Sequence, residues 1–192
     1  LSFNNTDDYY LPRSGISAST SLEIAGLGGD EKFMSSVSKF ATYYGLRDLI
    51  DYDLILRYKA QFKYLAINSA DEKYSYGEKY YMGGVRTIRG YESNSLSPKL
   101  NGTNILIGGN TMFVNSIEAS FPLVERLKMR GAIFFDYGMI GDDSLDIKRG
   151  GTGVALEWIS PLGPIGLIFA QPVMDETGDK KASFEFTIGQ KF

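Results

Sequence analysis

The chain has no cysteine and no histidine in 192 residues, and it has a single tryptophan and only six prolines. Zinc fingers, iron–sulfur clusters, thiol nucleophiles and histidine-based triads are therefore excluded. Without cysteine there is no disulfide framework, and cysteine usage leaves the compartment open. Charge of one sign is lacking too: 20 Lys+Arg against 23 Asp+Glu give a formal net charge of -3. No basic stripe of the kind nucleic acid requires is present. No run reaches the roughly 20 consecutive apolar residues of a transmembrane helix, and helical periodicity is missing throughout. The chain starts at Leu1 with no signal-peptide pattern, as a processed or excised piece would.

What is abundant is glycine and aromatic residues: 22 Gly, 13 Tyr and 12 Phe. Such a profile suits β proteins, and on composition an outer-membrane barrel and a secreted soluble β-sandwich are equally good solutions. The length allows one domain with a substantial core. Patterning separates the two. In "YDLILRYKAQFKYLAI", Tyr52 to Ile67, one face carries Tyr52, Leu54, Leu56, Tyr58, Ala60, Phe62, Tyr64 and Ala66. The other carries Asp53, Ile55, Arg57, Lys59, Gln61, Lys63 and Leu65. Strict alternation puts such a strand between an apolar and a polar medium. Its length exceeds the usual 5–6 residues of a globular strand and covers the roughly 9–11 needed to cross a bilayer at a tilt.

The theme recurs in "GISASTSLEIAGL", "TMFVNSIEASF", "LKMRGAIFFDYG", "GTGVALEWI", "IGLIFAQ" and "SFEFTIGQKF", and less tidily over Glu31–Tyr44. Eight strands result, with Ser116, Glu118, Ser120, Arg130, Asp136 and Glu157 on inward faces. Turn-rich pieces such as "GLGGDE", "PLVER", "SPLGP" and "DETGDK" join them as hairpins. The fold class expected is all-β, an antiparallel transmembrane β-barrel. One connection is anomalous: about forty residues from Asn68 to Gly109, long enough to be functional or a misassignment. It holds "VRTIRGYESNSLSPK", with Arg86, Arg89, Gly90 and Tyr91.

That loop, "NSIEASFPL", "FFDYG", "GVALEWISPLGPIGLIFAQP" and the terminal "FEFTIGQKF" occur in one order that resembles the BamA family of outer-membrane β-barrel assembly factors. Ile88-Arg89-Gly90-Tyr91 stands where that family has Val-Arg-Gly-Phe, with Ile for Val and Tyr for Phe. The likeness covers nearly the whole chain, from "LPRSGISAST" onward. It implies a sixteen-stranded barrel in the outer membrane of a Gram-negative bacterium, preceded by periplasmic POTRA domains. Residues 1–192 correspond to the C-terminal part of the barrel, about half of it, with a loop over 68–109 that folds inward and with no POTRA domain. The partners implied are membrane lipid, unfolded outer-membrane protein clients, and accessory lipoproteins engaged mainly through POTRA domains. No cofactor, metal or nucleic acid is implied.

The same resemblance implies that Arg89 contacts acids in the positions of Glu118 and Asp136. These lie on inner faces of consecutive strands, and a guanidinium fork accepts two carboxylates where an ammonium would not. Gly90 would let the loop backbone pass close to the wall and Tyr91 would pack against it. On spacing alone, ordinary solvated lumen charges account for the three ionic residues equally well. The last strand, with Phe184, Phe186, Ile188 and Phe192 toward lipid, resembles the terminal strand that forms a lateral seam in the family.

Other signals are weaker. Gly151-Thr152-Gly153 has no following helix and reads as strand glycines. Asp142, Asp143 and Asp146 form a solvated loop tip more readily than a cation site. No serine has a base in a recognisable motif, and no enzyme activity is expected. Three functions compete: an insertase, a passive channel whose lumen charges (Arg57, Lys59, Lys63, Lys128, Arg130) tune permeation, and a soluble β-sandwich binding module.

Overall fold

Period-two alternation becomes one continuous sheet in the computed structural model, which describes residues 1–26, 32–67, 77–101, 103–142, 144–161 and 163–189. Its strands are β1 (Ser2–Asn4), β2 (Ser14–Ala25), β3 (Phe33–Gly45), β4 (Ile55–Ile67), β5 (Thr111–Val124), β6 (Met129–Gly141), β7 (Ile147–Ser160), β8 (Gly163–Met174) and β9 (Phe184–Ile188). They lie side by side in chain order, every neighbouring pair antiparallel. From β2 to β8 the strands run 12 to 14 residues, long enough to cross a bilayer.

Three local features differ from the sequence reading. A ninth strand, β1, pairs with β2; its three residues are too few to leave an alternation signal. The β3–β4 connection contains one helical turn, α1 (Arg47–Ile50), ended by Asp51 in the left-handed region at φ 52°. Lys128, expected on the lumen face, is exposed in the β5–β6 turn at φ 53°. It follows a 3-10 turn over Glu125–Leu127.

The two faces of the sheet differ in chemistry. On the outer face, Ile24, Ile117, Ile133, Val154 and Phe169 are all more than half exposed. A water-facing surface rarely carries so large a contiguous apolar band, whereas lipid requires one. The described strands form a single sheet, not the two stacked layers of a sandwich.

The inner face is covered by the β4–β5 loop. Its described part is not structureless: antiparallel bridges join Tyr80 to Gly109, Met82 to Leu96 and Lys99 to Leu106. Met82, Ile88, Tyr91 and Leu96 pack on Met112 and Val114 of β5 and Ile140 of β6, forming the main apolar core. Val85 adds to a second cluster with Phe134, Ile168 and Ala170. Burying these side chains orders the loop, which has no hydrophobic period of its own. Residues 68–76 lie outside the described part.

Candidate functional site: a loop bound to the inner wall

Register sets the acids. Ser116 of β5 stands opposite Asp136 of β6, and Glu118 stands opposite Arg57 of β4. Alternation turns all four side chains inward, where Glu118, Asp136 and Arg57 are at most 4% exposed. Arg89 descends from the loop into this group. Its Nη1 is 2.7 Å from Glu118 Oε1, its Nη2 is 2.7 Å from Asp136 Oδ1, and its Nε donates to Asp136 Oδ2 at 2.8 Å. Nη2 also donates to the Ser116 hydroxyl at 2.9 Å, and the Arg89 backbone N–H reaches Asp136 Oδ2 at 3.0 Å. The guanidinium carbon lies 3.4 Å from the centroid of the Phe134 ring, a stacked cation–π contact.

Burial by itself would favour neutral Arg89. Hydrogen bonds and charge from Asp136, then from Glu118, outweigh it and raise its pKa above the ordinary guanidinium value. The residue is held charged, as a structural ion.

Gly90 has φ 97°, and a Cβ there would sit 2.9 Å from the Gln171 carbonyl carbon of β8, so both conformation and space call for glycine. Gly151 of β7 serves the same approach from the wall, since a Cβ there would overlap the Arg89 carbonyl oxygen. Tyr91 is fully buried. Its hydroxyl lies 2.8 Å from the Met174 carbonyl and 3.1 Å from that of Gly150, and it donates its one hydrogen between them. Burial, and next the charge of Asp179, push the phenol up to about 12.

The structure thus brings Arg89, Glu118 and Asp136 into one ion-paired group, while Gly90 and Tyr91 meet the backbone of β7 and β8 beside it. Phe184, Phe186 and Ile188 of β9 point away from it, 52% to 62% exposed on the outer face. Phe192 lies outside the described residues. Phe134 was not singled out from sequence; Ser116 was placed only by alternation on the same face as Glu118, and Gly151 only as a strand glycine.

A second ionic chain was not foreseen. Glu118 also receives Lys59 at 3.2 Å and Arg57 at 3.5 Å. Arg57 pairs bidentately with Glu157 of β7, Nη2 to Oε2 at 2.9 Å. The Ser120 hydroxyl donates to Glu157 at 3.1 Å and accepts from Arg130 Nε at 2.9 Å. Arg130 reaches Asp53 at 2.6 Å, and Asp53 also pairs with Arg13. Arg57 and Arg130 are therefore buried ion-pair partners rather than solvated lumen charges. At the loop tip, Asp142 pairs with Lys79 at 3.2 Å, Asp146 accepts from the Ser144 hydroxyl, and Asp143 lies outside the described residues.

Residues 1–192 match the Omp85 superfamily domain. The chain is 28% identical over 199 residues to the outer membrane protein assembly factor BamA of Nitratidesulfovibrio vulgaris, covering 98% of this chain and 24% of that protein. With the BamA of Neorickettsia risticii it shares 26% identity over 203 residues, covering 100% and 26%. The chain thus spans about a quarter of the length of these curated relatives. The crystal structure of BamA from Haemophilus ducreyi lacking POTRA domains 1-3 superposes with a TM-score of 0.88 at 24% identity, covering all of this chain and 41% of that one.

Proposed function

The chain belongs to the Omp85 superfamily, and from that membership we propose that it forms the C-terminal part of the barrel of an outer-membrane protein insertase. It sits in the bacterial outer membrane with the apolar face of β2–β9 in lipid. Its work is to fold and insert other β-barrel proteins, without covalent chemistry, nucleotide or cofactor. Unfolded outer-membrane proteins are the clients, and accessory lipoproteins join through POTRA domains rather than through these strands. β9 is the terminal strand of a lateral seam, where a client strand adds by β-augmentation. In lipid each unpaired backbone group costs several kcal/mol, so an opened seam strongly favours a new strand.

The observation that carries this reading against a channel is the loop. Met82, Ile88, Tyr91 and Leu96 of the loop are packed against the inner face of β5 and β6, and Arg57 and Arg130 are neutralised in buried pairs. The channel remains a second reading because a cleft of about 900 Å³ beside the loop is lined by Lys39, Lys59, Lys63 and Arg86. The complete barrel in liposomes discriminates the two. An insertase accelerates folding of an added client barrel, whereas steady large conductance with no effect on client folding supports the channel.

A further inference from the structure

Among the described residues β9 is short, five residues against 12 for β8. It pairs with β8 from Ile165↔Ile188 to Phe169↔Phe184, flanked by the Ala170 N–H on the Ser183 carbonyl at 3.1 Å and the Gly189 N–H on the Pro164 carbonyl at 2.8 Å. The inward loop adds a second set of bonds. Loop residues 90–92 lie antiparallel to residues 180–182, the segment leading into β9. Across that junction Tyr91 bridges Lys181, the Glu92 N–H donates to the Lys180 carbonyl at 3.0 Å, and the Ala182 N–H donates to the Gly90 carbonyl at 3.1 Å. Farther down, Glu185 on the inner face of β9 accepts the Val85 N–H at 3.1 Å through Oε1. The loop is itself fixed to β5 and β6 through Arg89. A continuous set of bonds therefore runs from the rigid wall, through residues 85–92, to the terminal strand.

We infer that the inward loop is a latch on β9 and that Glu185 is the positioning residue that engages it. The inference rests on the seam reading above and deepens it. The loop stays with the wall, so sideways displacement of β9 requires the Val85–Glu185 bond and the 90–92/180–182 pairing to break. The latch is of a releasable kind. The second Glu185 oxygen is buried with no hydrogen-bond partner among the described residues, so the closed arrangement leaves the carboxylate incompletely satisfied. The pairing beside it joins two short backbone segments, with the exposed side chains of Glu92 and Lys180 at its end. Glu185 touches no client in this scheme; it sets where the seam strand rests.

Amide hydrogen exchange on the complete barrel in phospholipid vesicles tests the latch without reference to activity. Glu185→Ala is expected to speed exchange at Val85 and across 184–188 by about tenfold, the loss of one hydrogen bond, with β5 and β6 unchanged. Glu185→Gln keeps the accepting oxygen and should restore wild-type protection. Wild-type exchange in the alanine variant, or equal loss in both variants, overturns the proposal. A second arm leaves Glu185 intact and joins Glu92→Cys to Lys180→Cys, two exposed positions facing one another. The oxidised pair should slow insertion of a client barrel at least tenfold, with recovery on reduction; equal rates in the two states overturn the latch. If neither state inserts clients, the insertase reading fails, and the exchange measurement still decides the latch.

Discussion

Among the described residues Arg89 is the one cation paired with Asp136, and that dependence sets the cost of removing the arginine. Glu118 keeps Lys59 and Arg57 when Arg89 is gone, but no other cation pairs with Asp136 among the described residues. Arg89→Ala therefore strands a buried carboxylate, a loss on the order of 3–5 kcal/mol. Urea unfolding of the complete barrel in detergent measures it, and a wild-type midpoint would refute the anchor. Adding Asp136→Ala should recover part of the loss, because the orphaned charge goes with it, and the double-mutant cycle gives the coupling directly. Arg89→Lys should rescue poorly, since one ammonium cannot reproduce the fork. Tyr91 gives a pH signature. Its folded pKa of about 12 lies above the ordinary 10.0, so the neutral phenol contributes stability that is complete below pH 10 and is lost as pH rises toward 12. Protection of loop amides should fall over that interval in wild type, and Tyr91→Phe should lack the pH-dependent part.

A strand answers to two media at once, so a substitution's effect depends on which face it meets. Ile117 lies mid-strand in β5 and is 56% exposed on the outer face. Ile117→Arg should destabilise by about 2–4 kcal/mol if that face lies in the bilayer midplane. Ser17→Arg on β2, lining the cleft, should change stability far less. Equal effects in a vesicle-based folding titration would contradict the lipid-facing assignment. The alternation that predicts this contrast was legible in β4 to β7 because it is local and long. β1 was missed for the opposite reason, since three residues carry no period. The loop was legible only as a long connection folding inward, because its order comes from Met82, Ile88 and Leu96 packing on strand residues distant in sequence.

An open sheet is not a finished membrane protein. β1 and β9 occupy opposite edges, and no pairing joins them among the described residues. Two bare edges in hydrocarbon are prohibitive, so these strands reach lipid only in a closed barrel, which on the proposed reading is completed by further strands. The isolated polypeptide 1–192 should accordingly show no heat-modifiable mobility on a gel, while the complete barrel should. A compact monomeric band from residues 1–192 alone would mean that these nine strands close on themselves. An interior of that size is just filled by side chains and would have to expel the loop.

Side-chain alternation follows from backbone geometry at each residue. The sequence by itself therefore determined the all-β class, the sorting of faces and the inward placing of Glu118 and Asp136. The Arg-Gly-Tyr segment stood out because no period explained it. Which charges meet was decided only in three dimensions. Arg57 and Glu157 are 100 positions apart and on strands separated by two others, brought together where neither cross-strand register nor spacing would have predicted it. The contact of Glu185 with Val85 depends likewise on how deeply the loop descends. That depth is fixed by the packing of the loop against the whole inner wall, which no local pattern encodes.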